Sequence, residues 1–187
     1  MPKKEIRVIG IDDSPFDKFK DRKCLVVGVV MRGGSWVDGI LSTKVDVDGN
    51  DSTSKIISMI NKCKFKPQLQ CIFLDGIAVA GFNVIDIQKL NKKTKLPVVV
   101  VIRKKPDISN IKKTLIKINK KDNIKLIEKA GEVFRIENIF IQCTGIEIND
   151  LRKILKVVCT RSFIPEPIRL AHLIAQGIVL GESKGGA

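Results

Sequence analysis

The segment Cys71-Ile72-Phe73-Leu74 is wholly apolar, follows Pro67 and stops on Asp75-Gly76. A strand without a polar face is covered on both sides, so this chain needs helices above and below a sheet. The same requirement returns in Pro97-Val98-Val99-Val100-Val101-Ile102, which runs out into Arg103-Lys104-Lys105-Pro106. A further segment, Glu5 to Ile11, reads as a strand and ends on Asp12-Asp13-Ser14-Pro15, a cluster that stops pairing and turns the chain. With 187 residues and 44% hydrophobic content, the chain can bury one core, and residues 1–187 read as a single domain.

The remaining periodicities fill in the order. After a charged connection over 17–23, residues 24–31 form a second strand, and Arg32-Gly33-Gly34-Ser35 turns it into a third, Trp36 to Asp46. These three strands predict an antiparallel meander. Asp48-Gly49-Asn50-Asp51 ends it, and Asp51 or Ser52 caps a helix carrying Ile56, Ile57, Met59 and Ile60 to about Lys64. Residues 76–81 read as a small-residue loop, and Val84, Ile85, Ile87 and Leu90 as a short helix. Helical spacing follows over 108–118, two short strands over 132–136 and 139–143, and a helix over 148–158. Pro165-Glu166-Pro167 starts a last helix with Leu170, Leu173, Ile174 and Ile178 inward, before a loose tail at 183–187. Three strands, helix, strand, helix, strand, helix is the ribonuclease-H-like order: an α/β fold with a mixed sheet flanked by helices.

A net charge of +14 and a pI near 9.7 make a polyanion the natural partner. Tyrosine is absent and aromatics are 5% of the chain, which disfavours a base-stacking platform. The cysteines, Cys24, Cys63, Cys71, Cys143 and Cys159, form no CxxC pair and read as free thiols. No apolar run is long enough to cross a bilayer and the first residues lack a secretory signal, so a cytoplasmic protein is expected. Monomer and dimer both remain open.

Ligands of open α/β sheets gather beyond the carboxyl ends of adjacent strands, which puts Asp12 and Asp75 in one candidate cleft. Paired carboxylates there suit magnesium, or manganese, polarising a phosphodiester and activating a water for in-line attack. A strand-end aspartate is also an ordinary turn or cap residue, and Asp13 competes with Asp12 because alternation aims the two at opposite faces. The third acidic ligand is expected from Asp46, Asp48 or Asp51, each of which also suits a turn or an N-cap. Arg103, Lys104 and Lys105 leave the 97–102 strand at the same edge and could hold the phosphate. His172, the sole imidazole, fits a general base, an outer metal ligand, a nucleic-acid contact or a structural residue.

Gly10-Ile11-Asp12-Asp13-Ser14, Val47-Asp48-Gly49-Asn50-Asp51, Leu74-Asp75-Gly76-Ile77 with Ala80-Gly81-Phe82-Asn83, and Arg103-Lys104-Lys105-Pro106 together resemble the archaeal endonuclease dU family over nearly the whole chain. That family is similar to endonuclease V, a magnesium-dependent enzyme that nicks nucleic acid near deaminated bases. The resemblance implies Asp12 and Asp75 as metal ligands, Arg103 in place of a lysine, and Asp51 or Asp48 in place of a glutamate. Pro165 to His172 looks like the start of the endonuclease V C-terminal helix, and the tyrosine-containing wedge of that enzyme has no counterpart. The function so implied is cleavage of DNA with deaminated bases, deoxyuridine first, in repair. Gly76 and Gly81 would let a flipped base or the backbone approach. Two other readings keep the same residues: a non-catalytic nucleic-acid-binding protein, and a ribonuclease for inosine-containing RNA.

Overall fold

The computed structural model describes residues 5–185. Strand β1 (Arg7–Asp13) pairs antiparallel with β2 (Lys23–Arg32), which pairs antiparallel with β3 (Trp36–Asp46). On its other side β1 pairs parallel with β4 (Cys71–Asp75), and β4 parallel with β7 (Val98–Ile102). Two antiparallel strands, β9 (Ile139–Thr144) and β8 (Phe134–Ile136), complete a seven-stranded sheet of order β3-β2-β1-β4-β7-β9-β8. The apolar runs β4 and β7 therefore lie inside the sheet, as strands without a polar face require.

Helices cover both faces. On one, Ile9, Ile11, Ile72, Leu74, Val98 and Val100 pack against helix α1 (Ser52–Lys62) and helix α2 (Ile87–Thr94). On the other, Val8, Cys71, Phe73, Val99 and Val101 meet helix α5 (Ile148–Val158) and the start of helix α6 (Glu166–Leu180). Gly10 makes the second contact close. A Cβ there would stand 2.6 Å from the Pro167 carbonyl oxygen and nearer still to its carbonyl carbon.

The predicted order of strands and helices is the observed one, with four local differences. Residues 76–85 fold into a hairpin, β5 (Ala78–Val79) and β6 (Asn83–Val84), whose two-residue strands are too short to show alternation. The helix predicted from Val84 begins at Ile87 because the Asp86 carboxylate accepts the Lys89 amide at 2.8 Å. Helix α3 (Ile108–Lys117) follows as predicted, but a further helix, α4 (Lys121–Lys129), packs beside it through Leu115 and Ile127. In α6 the residues buried on the sheet are Ile168, Ala171 and Ala175, with Leu170 and Ile174 alongside, whereas Ile178 is exposed. The small alanines face inward because the helix lies so near the strands. All five cysteines are free. Of the loose tail, residues 183–185 lack regular structure, and 186–187, like the first four residues, fall outside the described region. Among the described residues no helix is long and apolar enough to cross a membrane.

Candidate active site

Alternation along three neighbouring strands builds the site. Val8, Gly10 and Asp12 share the α6 face of β1; Cys71, Phe73 and Asp75 share that face of β4; Val99, Val101 and then Arg103 continue it on β7. Asp12 and Asp75 follow the register pair Ile11–Leu74, so the two carboxylates end adjacent strands side by side. Arg103 reaches across to Asp75, donating from its two terminal guanidinium nitrogens, Nη1 and Nη2, at 2.7 and 2.9 Å. From the covering helix, His172 places Nδ1 2.7 Å from Asp12 Oδ2. The chain thus joins residues 12, 75, 103 and 172 around a cleft of about 430 Å³ that Ser14, Pro15 and Gly76 also line.

Parity separates the two consecutive aspartates, although both border the cleft. Asp13 shares the other face with Ile9 and Ile11, and its carboxylate accepts the Ala80 amide at 2.7 Å. Its carboxyl is raised by burial while that amide bond opposes the rise. Beside it the Cys24 thiol is pushed up to about 11, chiefly by burial, and so stays a thiol at neutral pH. Asp12 is 5% exposed. Its carboxyl is pushed up to about 8, first by burial and then by the Asp75 charge, against the opposing Asp13 amide and Arg103.

His172 is held on both sides of its ring. Its Nε2 lies 2.9 Å from Gln176 Nε2, and the Gln176 side-chain oxygen accepts the Lys184 amide at 2.9 Å. Gln176 escaped the sequence analysis; the signal that could have found it is its position one turn beyond the sole histidine.

The structure does not bring Asp46, Asp48 or Asp51 to this cleft. β3 lies two strands from β1, roughly 10 Å at ordinary strand spacing. Past β3 the chain turns onto the α1 face, opposite Asp12 and Asp75. There Asp48 accepts the Phe82 amide at 2.8 Å, and Asp51 accepts the Asp46 amide at 3.1 Å and the Asn83 side-chain amide at 2.8 Å. Asp51 stands at the N-cap of α1 without a side-chain cap bond, its oxygen being used by these partners. Asp46 pairs with Lys23 at 3.3 Å. Among the described residues, the group of three potential metal-ligating side chains with ligand atoms within 4.8 Å of one another is Asp12, Asp75 and His172. Of the two glycines singled out, Gly76 (φ 83°) lines the cleft, while Gly81 (φ 84°) packs where a Cβ would stand 2.5 Å from Asp48 Oδ1. Lys104 and Lys105 are exposed just beyond Arg103 and do not line the cleft.

The family described as Endonuclease dU matches residues 4–179 of this chain. The chain belongs to the endonuclease dU family. A relative from the archaeon Methanothermobacter thermautotrophicus, a UPF0215 protein, is 48% identical over 99% of this chain and 93% of its own length. The crystal structure of a protein of unknown function from Archaeoglobus fulgidus matches with a TM-score of 0.87 and 45% identity, covering 92% of this chain and 98% of that one. Endonuclease V of Ciona intestinalis, solved with a 24mer DNA containing an inosine followed by a ribo-adenosine, superposes with a TM-score of 0.55 at 20% identity over 89% of this chain and 82% of its own. The endonuclease dU chain accordingly has the ribonuclease-H-like fold that this endonuclease V shares, and its family is described as an endonuclease.

Proposed function

We propose that the chain is a divalent-metal-dependent endonuclease that hydrolyses a phosphodiester in DNA containing deaminated bases, deoxyuridine first. The observation that carries this reading is the convergence of Asp12, Asp75 and His172 beside Arg103 at one sheet edge. Two carboxylates and an imidazole fit a divalent cation of the magnesium or manganese kind, the nitrogen donor favouring manganese. The raised carboxyl of Asp12 fits as well, because burial and the Asp75 charge leave its anion short of positive neighbours. Asp12 and Asp75, with His172 as third donor in place of Asp48 or Asp51, would hold the ion. When bound there, such an ion polarises a phosphoryl oxygen and makes a coordinated water acidic.

The other tasks fall to the chain's own side chains. The guanidinium of Arg103 presents a parallel pair of N–H groups to Asp75 and its side chain is 38% exposed. That fork matches two phosphate oxygens equally well, so Arg103 takes the scissile phosphate. Gln176 fixes the ring of His172 and so the direction in which it meets Asp12. Gly76 leaves the rim without a side chain, so a strand backbone can come close. The family's name supports deoxyuridine, and the inosine-containing DNA bound by the Ciona endonuclease V supports a deaminated base.

The test is cleavage of a uracil-containing duplex, an inosine-containing duplex and inosine-containing RNA, each with magnesium, manganese or chelator. Nicking of the uracil duplex, lost with chelator and lowered by roughly two orders of magnitude or more in Asp75→Asn, is expected. Equal cutting by Asp75→Asn and wild type would remove the metal site, and cleavage confined to inosine RNA would change the substrate. Salt-sensitive binding that ignores metal, without cutting, would leave a nucleic-acid-binding protein.

A further inference from the structure

Half of the chain's excess positive charge lies in 27 residues. From Arg103 to Lys129 there are ten lysines and arginines against three acids, a net of +7 within a total of +14. This stretch starts at Arg103, which lines the cleft, and continues from the exit of β7 into α3 and α4, which are fastened to the hairpin leaving Asp75-Gly76 and to the turn after β3. Leu115 and Ile127 pack on Val84 with Ile77 and Phe82 of the hairpin that follows Asp75-Gly76. Asn123 donates to the Phe82 carbonyl at 2.9 Å, and the Lys120 ammonium donates to the carbonyls of Asp48 and Gly49.

Apart from Lys120, the lysines of this stretch divide into two groups. Lys112 pairs with Glu128 at 2.7 Å, Lys125 with Asp122 at 3.8 Å and Lys129 with Asp86 at 2.9 Å. Lys104, Lys105, Lys113, Lys117 and Lys121 are exposed and make no ion pair among the described residues. Lys113 and Lys117 stand four apart on one face of α3, where like charges weaken a helix by a few tenths of a kcal/mol. No carboxylate among the described residues pairs with either lysine, although Lys117 gains from the carboxyl end of the helix dipole; a row of phosphates would neutralise both.

We infer that α3 and α4 form a clamp for the DNA backbone, in which Lys113, Lys117 and Lys121, continued by Lys104 and Lys105, hold the duplex flanking the bond presented to Asp12 and Asp75. The inference rests on the nuclease reading for the place where the duplex enters. The chemistry recognised is the phosphodiester chain, because this surface is lysine and carries no aromatic platform for bases. It extends the basic edge from three residues to the length of a helical pair.

Salt dependence separates this clamp from the general attraction of a basic protein. Binding of a fluorescein-labelled DNA duplex is measured by anisotropy across a salt series, without divalent metal, for wild type and for Lys113→Gln/Lys117→Gln/Lys121→Gln. A control, Lys62→Gln/Lys92→Gln/Lys93→Gln, removes the same charge at the carboxyl ends of α1 and α2, on the opposite edge of the sheet. The clamp variant should flatten the slope of log K against log salt by about 0.9 per lost phosphate contact, roughly 2–3 in all. The control should keep the wild-type slope. Equal flattening in both, no flattening in the clamp variant, or no binding by wild type overturns the clamp. Cleavage of the same duplex with manganese is scored separately. Cutting with an unchanged slope sinks the clamp alone, and a flattened slope without cutting sinks the nuclease reading alone.

Discussion

Replacing Asp12 by asparagine should change how stability depends on pH. The carboxyl of Asp12 is pushed up to about 8 by burial and by Asp75, against 3.8 for the free group. Below about pH 4 the proton is bound in folded and unfolded chains alike. Between about pH 4 and 8 the folded chain keeps it and the unfolded chain has lost it, so stability falls as pH rises, at about 1.4 kcal/mol per pH unit. From pH 5 to 7 the loss is about 2.7 kcal/mol, or roughly 5–11 °C in melting temperature for a domain of this size. Asp12→Asn removes that slope while leaving Asp13, which is also raised by burial, in place. The difference between the two proteins therefore isolates Asp12. Calorimetric melts in chelator at several pH values would show wild type losing stability relative to the variant as pH rises. Parallel curves would refute the reasoning. They would mean that His172, 2.7 Å away, holds Asp12 as an anion by donating to it, so that no proton is taken up on folding.

Two other substitutions probe what sets the geometry. Gly10→Ala forces a methyl into the Pro167–Ile168 backbone and should cost about 1–3 kcal/mol, read by denaturant titration. Because α6 must shift to admit it, manganese affinity by titration calorimetry should fall as well. Asp51→Asn, which disturbs the acceptor for the Asp46 amide and the Asn83 side chain, should cost about 1 kcal/mol yet leave manganese affinity at the wild-type value. His172→Ala should lower that affinity by roughly 10–100-fold. A large loss in Asp51→Asn with none in His172→Ala would make Asp51 the third ligand.

The parts of the fold that are legible without coordinates are those written in local periodicity. Four consecutive apolar residues before Asp75 demand a covered central strand, and threes and fours in 148–158 demand a helix, whatever lies elsewhere in the chain. Elements too short to repeat leave no such trace, which is why the hairpin at residues 78–84 reads as a loop. Helix α4 lies hidden in a lysine-rich run for a related reason: few of its positions are apolar, and Ile127 is the apolar residue it buries.

At the candidate site the division is the same. Local pattern alone puts Asp75 at the end of a buried strand with basic residues leaving the next strand at the same edge. It also sets Asp12 and Asp13 on opposite faces, because side chains of a strand alternate. Which face holds the cleft is settled by the helix that covers it, and α6 joins the sheet through Gly10, bringing His172 to Asp12 across 160 residues of chain. No spacing rule reaches so far. Asp48 and Asp51 have the right chemistry and lie near a helix start, yet an edge strand and a turn onto the opposite face carry them away, where backbone amides and Asn83 take up their oxygens. Sequence determined which residues could ionise at a strand end; only the packing of α6 on the central strands decided which of them share one charge environment.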